Sequence, residues 1–239
     1  MNKKKKIQLK GIVKYTYKQM GRAILDYQMI GAGDRILVGV SGGADSLSLL
    51  KLFLMRRRRV PIDFEVIACH VETNFIEIKE DVVIGYFQAN GVQYVVERLN
   101  IDEGINCFWC SWNRRKVLFE TAHRLECNKI ALGHNLDDIT ETILMNLFFF
   151  GEISAMKPRI ELFGGKLTVI RPLCYLSKAD IISFARKLEL PATNYKCTYG
   201  RDSRRELVKE LIKTLENHCP YVKKNIFGAL KKIKEEYLV

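Results

Sequence analysis

Long apolar runs are missing from this 239-residue sequence, and none of its hydrophobic stretches reaches the length of a transmembrane helix. The basic N-terminus, MNKKKKIQLKGIVKYTYKQ, also lacks the apolar stretch and small-residue cleavage site of a secretory signal. These absences exclude membrane-spanning and exported classes, and we expect a cytoplasmic protein with no membrane partner. The hydrophobic content of 48% is still ample for the core of one large domain.

Acidic residues are scarce relative to basic ones. The 27 Asp and Glu stand against 39 Lys and Arg, which gives a formal net charge of +12. The positive charge is clustered at residues 3–6, at residues 56–59 and in LKKIKEEY near the end. This surplus favours a polyanionic partner, most simply nucleic acid, because neutralising phosphates releases counterions. Each single run is explained equally well as a solvated face or tail.

The chain also lacks the even cysteine count typical of disulfide frameworks, since it has seven. In a cytoplasmic protein this favours metal or catalytic roles for some of them. Four look like small core hydrophobes at the ends of elements, namely Cys69, Cys127, Cys174 and Cys219. The others are the CxxC pair Cys107 and Cys110, and Cys197. Spacing alone supports a cluster, a structural zinc with a fourth ligand such as His134, and a redox pair comparably.

Strand and helix patterns alternate along the chain, which predicts an α/β fold with a doubly wound parallel sheet of five strands. We place the strands at 35–41, 63–71, 92–99, 128–134 and 166–173. Helices are expected at 8–30, 45–58, 76–90, 111–126, 136–150 and 177–189, before a mostly helical, basic tail. The CxxC pair then falls in a loop ahead of the fourth helix.

Ligands of such sheets bind beyond the carboxyl ends of the strands. Three distinctive loops leave strands at that edge: SGGADS (41–46), CHVETN (69–74) and GHNLDD (133–138). We name the first the glycine loop and the third the histidine loop. Their coincidence at one edge predicts a single binding site.

The glycine loop lacks the Lys-Ser/Thr pair of a Walker loop. The amides of Gly42 and Gly43, the hydroxyls of Ser41 and Ser46 and the following helix N-terminus can still surround phosphate oxygens. Asp45 suits this place if Mg²⁺ lies between it and the phosphate. Without a lysine for a transferring phosphoryl group, the loop better suits a leaving pyrophosphate. The plainer interpretation is an ordinary Ser-Gly-Gly turn.

Five blocks, in order, resemble the PP-loop ATP pyrophosphatases and, more closely, the tRNA 2-thiocytidine synthetase group of tRNA thiolases. They are GDRILVGVSGGADSLSLL, CFWCSWNRRKVLFETA, NKIALGHNLDDITETILMNLFFFGEISAMKP, VIRPLCYLSKADIISFA and CTYGRDSRR. The resemblance implies a PP-loop ATP-binding domain over 31–192. We expect a basic helical extension over 1–30 before it and a basic helical extension over 193–239 after it.

The resemblance also implies an enzyme that thiolates tRNA, most simply cytidine at C2, with ATP, Mg²⁺ and a [4Fe-4S] cluster. The cluster ligands of the family correspond to Cys107, Cys110 and Cys197. The arginines after its CxxC correspond to Arg114 and Arg115, and its GHxxDD stretch to Gly133, His134, Asp137 and Asp138. Partners implied are tRNA and a sulfur donor, either a cysteine desulfurase or free sulfide. Whether the chain forms a homodimer stays open.

From these matches we assign site residues. Catalytic roles go to Asp45, Asp138 and Arg115. ATP binding is assigned to Ser41, Gly42, Gly43, Asp45, Ser46, His70, Gly133 and Asp138. Helix capping is the simpler interpretation of Asp137 and Asp138. For Trp109 and Trp112 we weigh shielding of the cluster, stacking on a base and ordinary packing.

Two positions depart from the family pattern. Ala44 stands where the thiocytidine enzymes usually carry lysine, and Asn194 stands where a second cysteine would precede Cys197. Two other classes remain. A PP-loop ligase of the lysidine synthetase kind leaves the three cysteines unexplained. A tRNA-binding protein with a structural metal leaves the glycine and histidine loops unexplained.

Overall fold

The computed structural model describes residues 9–74, 80–100, 107–193 and 203–237. Its strands are β1 (Asp34–Gly39), β2 (Phe64–Thr73), β3 (Gln93–Leu99), β4 (Lys129–Ala131), β5 (Arg159–Leu162) and β6 (Leu167–Ile170). Its helices are α1 (Gly11–Asp26), α2 (Ala44–Arg57), α3 (Glu80–Asn90), α4 (Cys107–Arg124), α5 (Leu136–Phe150), α6 (Lys178–Lys187), α7 (Ser203–His218) and α8 (Val222–Ala229). The strands form one sheet in the order β3-β2-β1-β4-β6-β5.

The predicted α/β class with a doubly wound, mostly parallel sheet is confirmed. The predicted strand count is wrong, because the sheet has six strands rather than five. The five predicted strands are the parallel ones, and β5 adds an antiparallel edge beside β6. Only four residues long, with charges at alternate positions, β5 lacks the continuous apolar run that marks the buried strands.

Apolar side chains of β1 alternate between two cores, one on each face of the sheet. Ile36 and Val38 join the larger core, to which α1, α2, α3, α5 and α6 contribute. Leu37 joins the smaller core, where Leu118 and Ala122 of α4 pack. Three of the cysteines predicted to be core hydrophobes are buried, namely Cys69, Cys127 and Cys174, while Cys219 is half-buried.

The predicted loop for the CxxC pair is wrong in its extent, because α4 begins at Cys107 and takes in both cysteines. The run CFWCSW carries residues of weak helix propensity, so no helix is predicted there from its residues. By contrast α5 matches its prediction to the residue, since Asn135 caps its start and Gly151, in the left-handed region, ends it. Within the described ranges, no helix is both long and apolar enough to cross a membrane.

Candidate functional site

The glycine loop connects β1 to α2 and is closed by Ser46. The Ser46 hydroxyl accepts from the Ser41 amide at 3.1 Å and donates to the Gly43 carbonyl at 3.1 Å. Gly42 has φ +81°, which favours glycine. Gly43 is the N-cap of α2, and no side chain in the described part of the chain caps this helix. The loop therefore presents a helix N-terminus that suits an anion.

The histidine loop follows β4 and packs directly on the first turn of α2. A Cβ at Gly133 would lie 3.1 Å from the Ser46 nitrogen and 3.3 Å from the Asp45 Cβ. Since a neighbour would have to shift, only glycine allows this approach. The two loops, 90 residues apart between Asp45 and Asn135, are thus brought together as the strand ends predicted.

Asp45 has two polar partners that sequence reasoning missed. Its Oδ1 accepts from Asn135 Nδ2 at 3.2 Å, and its Oδ2 forms an ion pair with Lys178 Nζ. Lys178 is the first residue of α6, where the helix dipole disfavours a cation. That unfavourable position was the one sequence signal for a role in a site. Lys178 of α6 thus places an ammonium group beside the glycine loop.

Asp137 and Asp138 both make structural contacts. The Asn135 side chain accepts from the amides of Asp137 and Asp138, at 2.9 and 3.2 Å, and Asp138 Oδ2 accepts from the Asn135 amide at 2.9 Å. This is a capping box. Burial raises the pKa of Asp138. Asp137 accepts from the Lys178 amide at 2.9 Å and from Lys223 Nζ at 2.7 Å. Helix capping, the simpler interpretation, describes these contacts.

Arginines from three elements surround His134. Arg171 donates from Nε to His134 Nδ1 at 3.3 Å and from Nη1 to the Lys157 carbonyl at 2.6 Å. Burial, with the positive charges of Arg171, Arg115 and Arg205, lowers the pKa of His134 to about 4. Burial and Arg115 lower the pKa of Arg171 to about 10. The imidazole is therefore neutral at pH 7, in a positive field beside the glycine loop.

Two of these arginines have further contacts. Arg115, exposed on α4, donates to the Ser111 hydroxyl at 3.1 Å, and Arg205 of α7 pairs with Glu141 at 3.1 Å. Arg171 just follows β6, at the same sheet edge as the loops. Sequence reasoning singled out Arg114 and Arg115 but missed Arg171 and Arg205. Position after a strand was the signal that would have found Arg171.

His70 lies in the second half of β2 and is fully buried. Its Nδ1 is 2.7 Å from the carbonyl oxygen of Val40, the residue before the glycine loop. Its Nε2 has no hydrogen-bond partner among the described residues. The structure thus brings His70 to the base of the loop, as its predicted membership of the site requires.

The cysteine ligands are only partly within the described residues. Cys107 is the first residue of α4, and Cys110, one turn on, is half-buried. Cys197 lies outside the described residues, as does Asn194. Before that gap, Thr193 binds the Gly42 carbonyl from both its amide and its hydroxyl, each at 3.1 Å. Among described residues no group of three or more His, Cys, Asp or Glu is arranged for a metal ion.

The sequence matches the profile of a PP-loop domain over residues 14–211. A tRNA-cytidine(32) 2-sulfurtransferase from Geotalea uraniireducens (strain Rf4) is 37% identical over 232 residues, covering 92% of each chain. One from Ralstonia nicotianae is 38% identical over 230 residues, covering 92% of this chain and 74% of that protein. The U34-tRNA thiolase NcsA from Methanococcus maripaludis with its [4Fe-4S] cluster shares the fold. Its TM-score is 0.78 at 23% identity, over 95% of this chain and 80% of that one.

Proposed function

The chain belongs to the PP-loop family, among relatives of the tRNA-cytidine(32) 2-sulfurtransferases, and from this premise we propose that it thiolates tRNA at C2 of a cytidine. The observation that carries the proposal is the meeting of the glycine loop, the histidine loop and Lys178 at one sheet edge. This arrangement suits ATP whose pyrophosphate leaves. A cytidine in an unpaired loop suits it as acceptor, because its C2 is accessible there.

In the first step the C2 oxygen of the base attacks the α-phosphorus of ATP. The bond from that phosphorus to the bridging oxygen breaks, and pyrophosphate leaves with the electron pair. The amides of Gly42 and Gly43 and the N-terminus of α2 bind the departing phosphates. Lys178 neutralises their charge, and Asp45 binds the Mg²⁺ that accompanies ATP. The base is then joined to AMP through its former carbonyl oxygen.

Arg171 and Arg115, which lie near His134, stabilise the negative charge of the phosphates. Arg171 has neutral acceptors in His134 and the Lys157 carbonyl, and its buried charge is compensated when a phosphate lies near. Because Arg171 Nε can only donate, His134 Nδ1 accepts and the imidazole proton lies on Nε2. His134 therefore offers a neutral N–H donor. Arg115 adds a second, exposed cation toward the RNA backbone.

The described residues fit a [4Fe-4S] cluster as far as they reach. Cys107 and Cys110 are one turn apart at the N-terminal end of α4, where the helix dipole favours thiolate charge. Thr193 is tied to Gly42 four residues before Cys197, and four residues of chain span at most about 14 Å. Chain length therefore allows the Cys197 thiolate to lie beside the glycine loop. When bound, the cluster would supply sulfide to attack C2, and AMP would leave with the oxygen.

The test is anaerobic incubation of the purified protein with unmodified tRNA, Mg²⁺-ATP and sulfide, followed by nucleoside mass spectrometry. We expect 2-thiocytidine with one AMP and one pyrophosphate per thiolated base. Running the same reaction with a cysteine desulfurase and cysteine identifies the donor. AMP and pyrophosphate without any thiolated nucleoside would contradict thiolation, because ATP would then be hydrolysed without sulfur transfer.

The three-thiolate assignment has its own test in iron and labile sulfide per chain. Cys107→Ala, Cys110→Ala and Cys197→Ala should each lose iron and thiolation together and still bind ATP, since the glycine loop follows a different strand. Half-buried Cys219 is the matched control, and Cys219→Ala should keep full iron content. Full iron in Cys197→Ala would contradict the assignment and favour a persulfide route through the cysteines themselves.

A further inference from the structure

Both tryptophans of the chain lie within one turn of α4 and face solvent. Trp109 is 50% exposed and Trp112 is 46% exposed, although rings of this size usually bury most of their surface. Their ring centroids are 5.8 Å apart at an interplanar angle of 75°. The pair is therefore a rigid aromatic surface that water touches.

Helix geometry separates this surface from the core. Residues at i, i+3 and i+7 share a face, so Trp109 and Trp112 lie with the exposed Lys116. The half-buried Cys110 and Arg114 lie on the side that continues into the buried Leu118. Ordinary core packing therefore does not account for the two tryptophans.

The aromatic pair is close to the candidate active site. Arg115 follows Trp112 by three residues, about 4.5 Å along the helix axis. Arg115 is near enough to His134 and Arg171 to act on both electrostatically. His134 in turn follows Gly133, which packs against the glycine loop. A ligand on the tryptophans thus lies beside the place proposed for the target base.

We propose that Trp109 and Trp112 form a stacking platform for an unpaired base of the tRNA loop, next to the target cytidine. This inference rests on the proposed function and deepens it. Charge complementarity favours RNA over an apolar protein partner, because Arg114, Arg115 and Lys116 come within about one turn after Trp112. Single-stranded RNA is recognised by such aromatic stacking combined with cations on its backbone.

The platform gives the reaction a physical means of exposing C2. A neighbouring base that stacks on tryptophan no longer stacks on the cytidine, which lowers the cost of turning the cytidine toward the glycine loop. Arg115, three residues after Trp112 on α4, then offers a cation to the phosphate that joins the two nucleotides. The tryptophans touch RNA and not the reacting atoms, so they are binding and positioning residues.

The test is the affinity of the anaerobically purified full chain for a labelled RNA stem-loop with a cytidine in its loop, without ATP or sulfide. Trp109→Ala and Trp112→Ala should each weaken binding by about 5- to 100-fold, as expected for one stacked base. Trp109→Phe and Trp112→Phe should retain most of the affinity. Phe150, 61% exposed at the far end of α5, is the control, and Phe150→Ala should bind normally.

Salt dependence separates stacking from charge. The tryptophan variants should lose the same factor at every salt concentration, whereas Lys116→Gln should flatten the salt slope. Removing loop bases one at a time should locate the stacked base. RNA that lacks this base should bind wild type as weakly as the normal RNA binds the alanine variants. When that RNA is paired with an alanine variant, the affinity should fall little further.

Several results would overturn the platform. Alanine variants that bind RNA as tightly as wild type would do so. Alanine variants with normal RNA affinity but faster loss of iron would show instead that the tryptophans shield the cluster. Alanine variants that lose only the binding of a protein sulfur donor would show that the tryptophans form a protein interface. Far-UV circular dichroism checks the fold of each variant. RNA binding is measured without ATP or sulfide. The stacking proposal can therefore be confirmed when the thiolation proposal is refuted, and the reverse also holds.

Discussion

His134 is held beside a guanidinium that donates to its Nδ1, so protonating it would set two cations against each other. Burial and the neighbouring arginines keep its pKa near 4 in the folded chain, while the unfolded chain has the usual value near 6.5. As pH falls from about 6.5 to about 4, His134 binds a proton in the unfolded chain but stays neutral in the folded chain. Stability is full above this window and is lost as pH falls through it.

The predicted loss is up to about 3 kcal/mol in the free energy of unfolding, at about 1.4 kcal/mol per pKa unit. Urea unfolding of wild type and His134→Gln at pH 7.5, 6.0, 5.0 and 4.5 measures it. The variant should lose less stability than wild type across this range. Parallel curves for the two proteins would show that His134 does not carry the effect.

The Asp45–Lys178 pair gives a second prediction at the residue scale. Asp45→Ala should abolish pyrophosphate release and leave the fold intact, because Asp45 lies at a partly exposed sheet edge. Lys178→Ala should raise the KM for ATP by roughly 10- to 100-fold, the worth of one charge-assisted hydrogen bond. Lys187, exposed at the other end of α6, supplies the control, and Lys187→Ala should match wild type. Normal pyrophosphate release by Asp45→Ala would refute the assigned role.

At the scale of elements, α7 and α8 dock on the helix whose cap builds the site. Val208 and Ile212 of α7 pack with Leu144 of α5. Lys223 of α8, 17% exposed, binds Asp137 at 2.7 Å and Glu216 at 2.9 Å. These two carboxylates raise the pKa of Lys223 although burial opposes them. Lys223 thus ties the C-terminal helices to the histidine loop, in addition to the apolar contacts with α5.

Lys223→Met should lower the free energy of unfolding by about 1–3 kcal/mol, because it leaves Asp137 and Glu216 partly buried without their cation. Hydrogen exchange should rise most in α7 and α8. The exposed neighbour Lys224 provides the control, since Lys224→Met removes a charge without disturbing a buried pair. Equal loss of stability in both variants would point to net charge as the cause.

Elements were predictable where local signals agree. The asparagine cap and terminal glycine of α5 specify both ends, and the apolar run of β1 specifies a strand covered on both faces. β5 was missed because a short edge strand owes its existence to β6 rather than to its own residues. The site divides in the same way. The motif residues of the two loops were predicted from the sequence. Asn135, Arg171 and Lys178 were not, because they act through contacts that only the folded chain makes.

At the scale of the whole molecule, the surplus of basic residues remains the broadest feature of the chain. Residues 3–6 are four consecutive lysines, outside the described residues. Replacing all four with glutamine should weaken tRNA binding and flatten its salt dependence by roughly one unit of slope per lost phosphate contact. Replacement with arginine, which keeps the charge, should preserve the slope. If glutamine leaves the slope unchanged, this run does not contact RNA.

Because α6 provides the partner of Asp45, the site is completed late in protein synthesis. Asp45 and Lys178 are 133 positions apart, so the ribosome makes the glycine loop long before its lysine. A nascent chain that ends before α6 has the loop but not the cation that neutralises departing pyrophosphate. On the proposed function, unfinished chains therefore lack one of the residues that bind ATP. The separation of Asp45 and Lys178 along the polypeptide therefore delays activity until translation has passed α6.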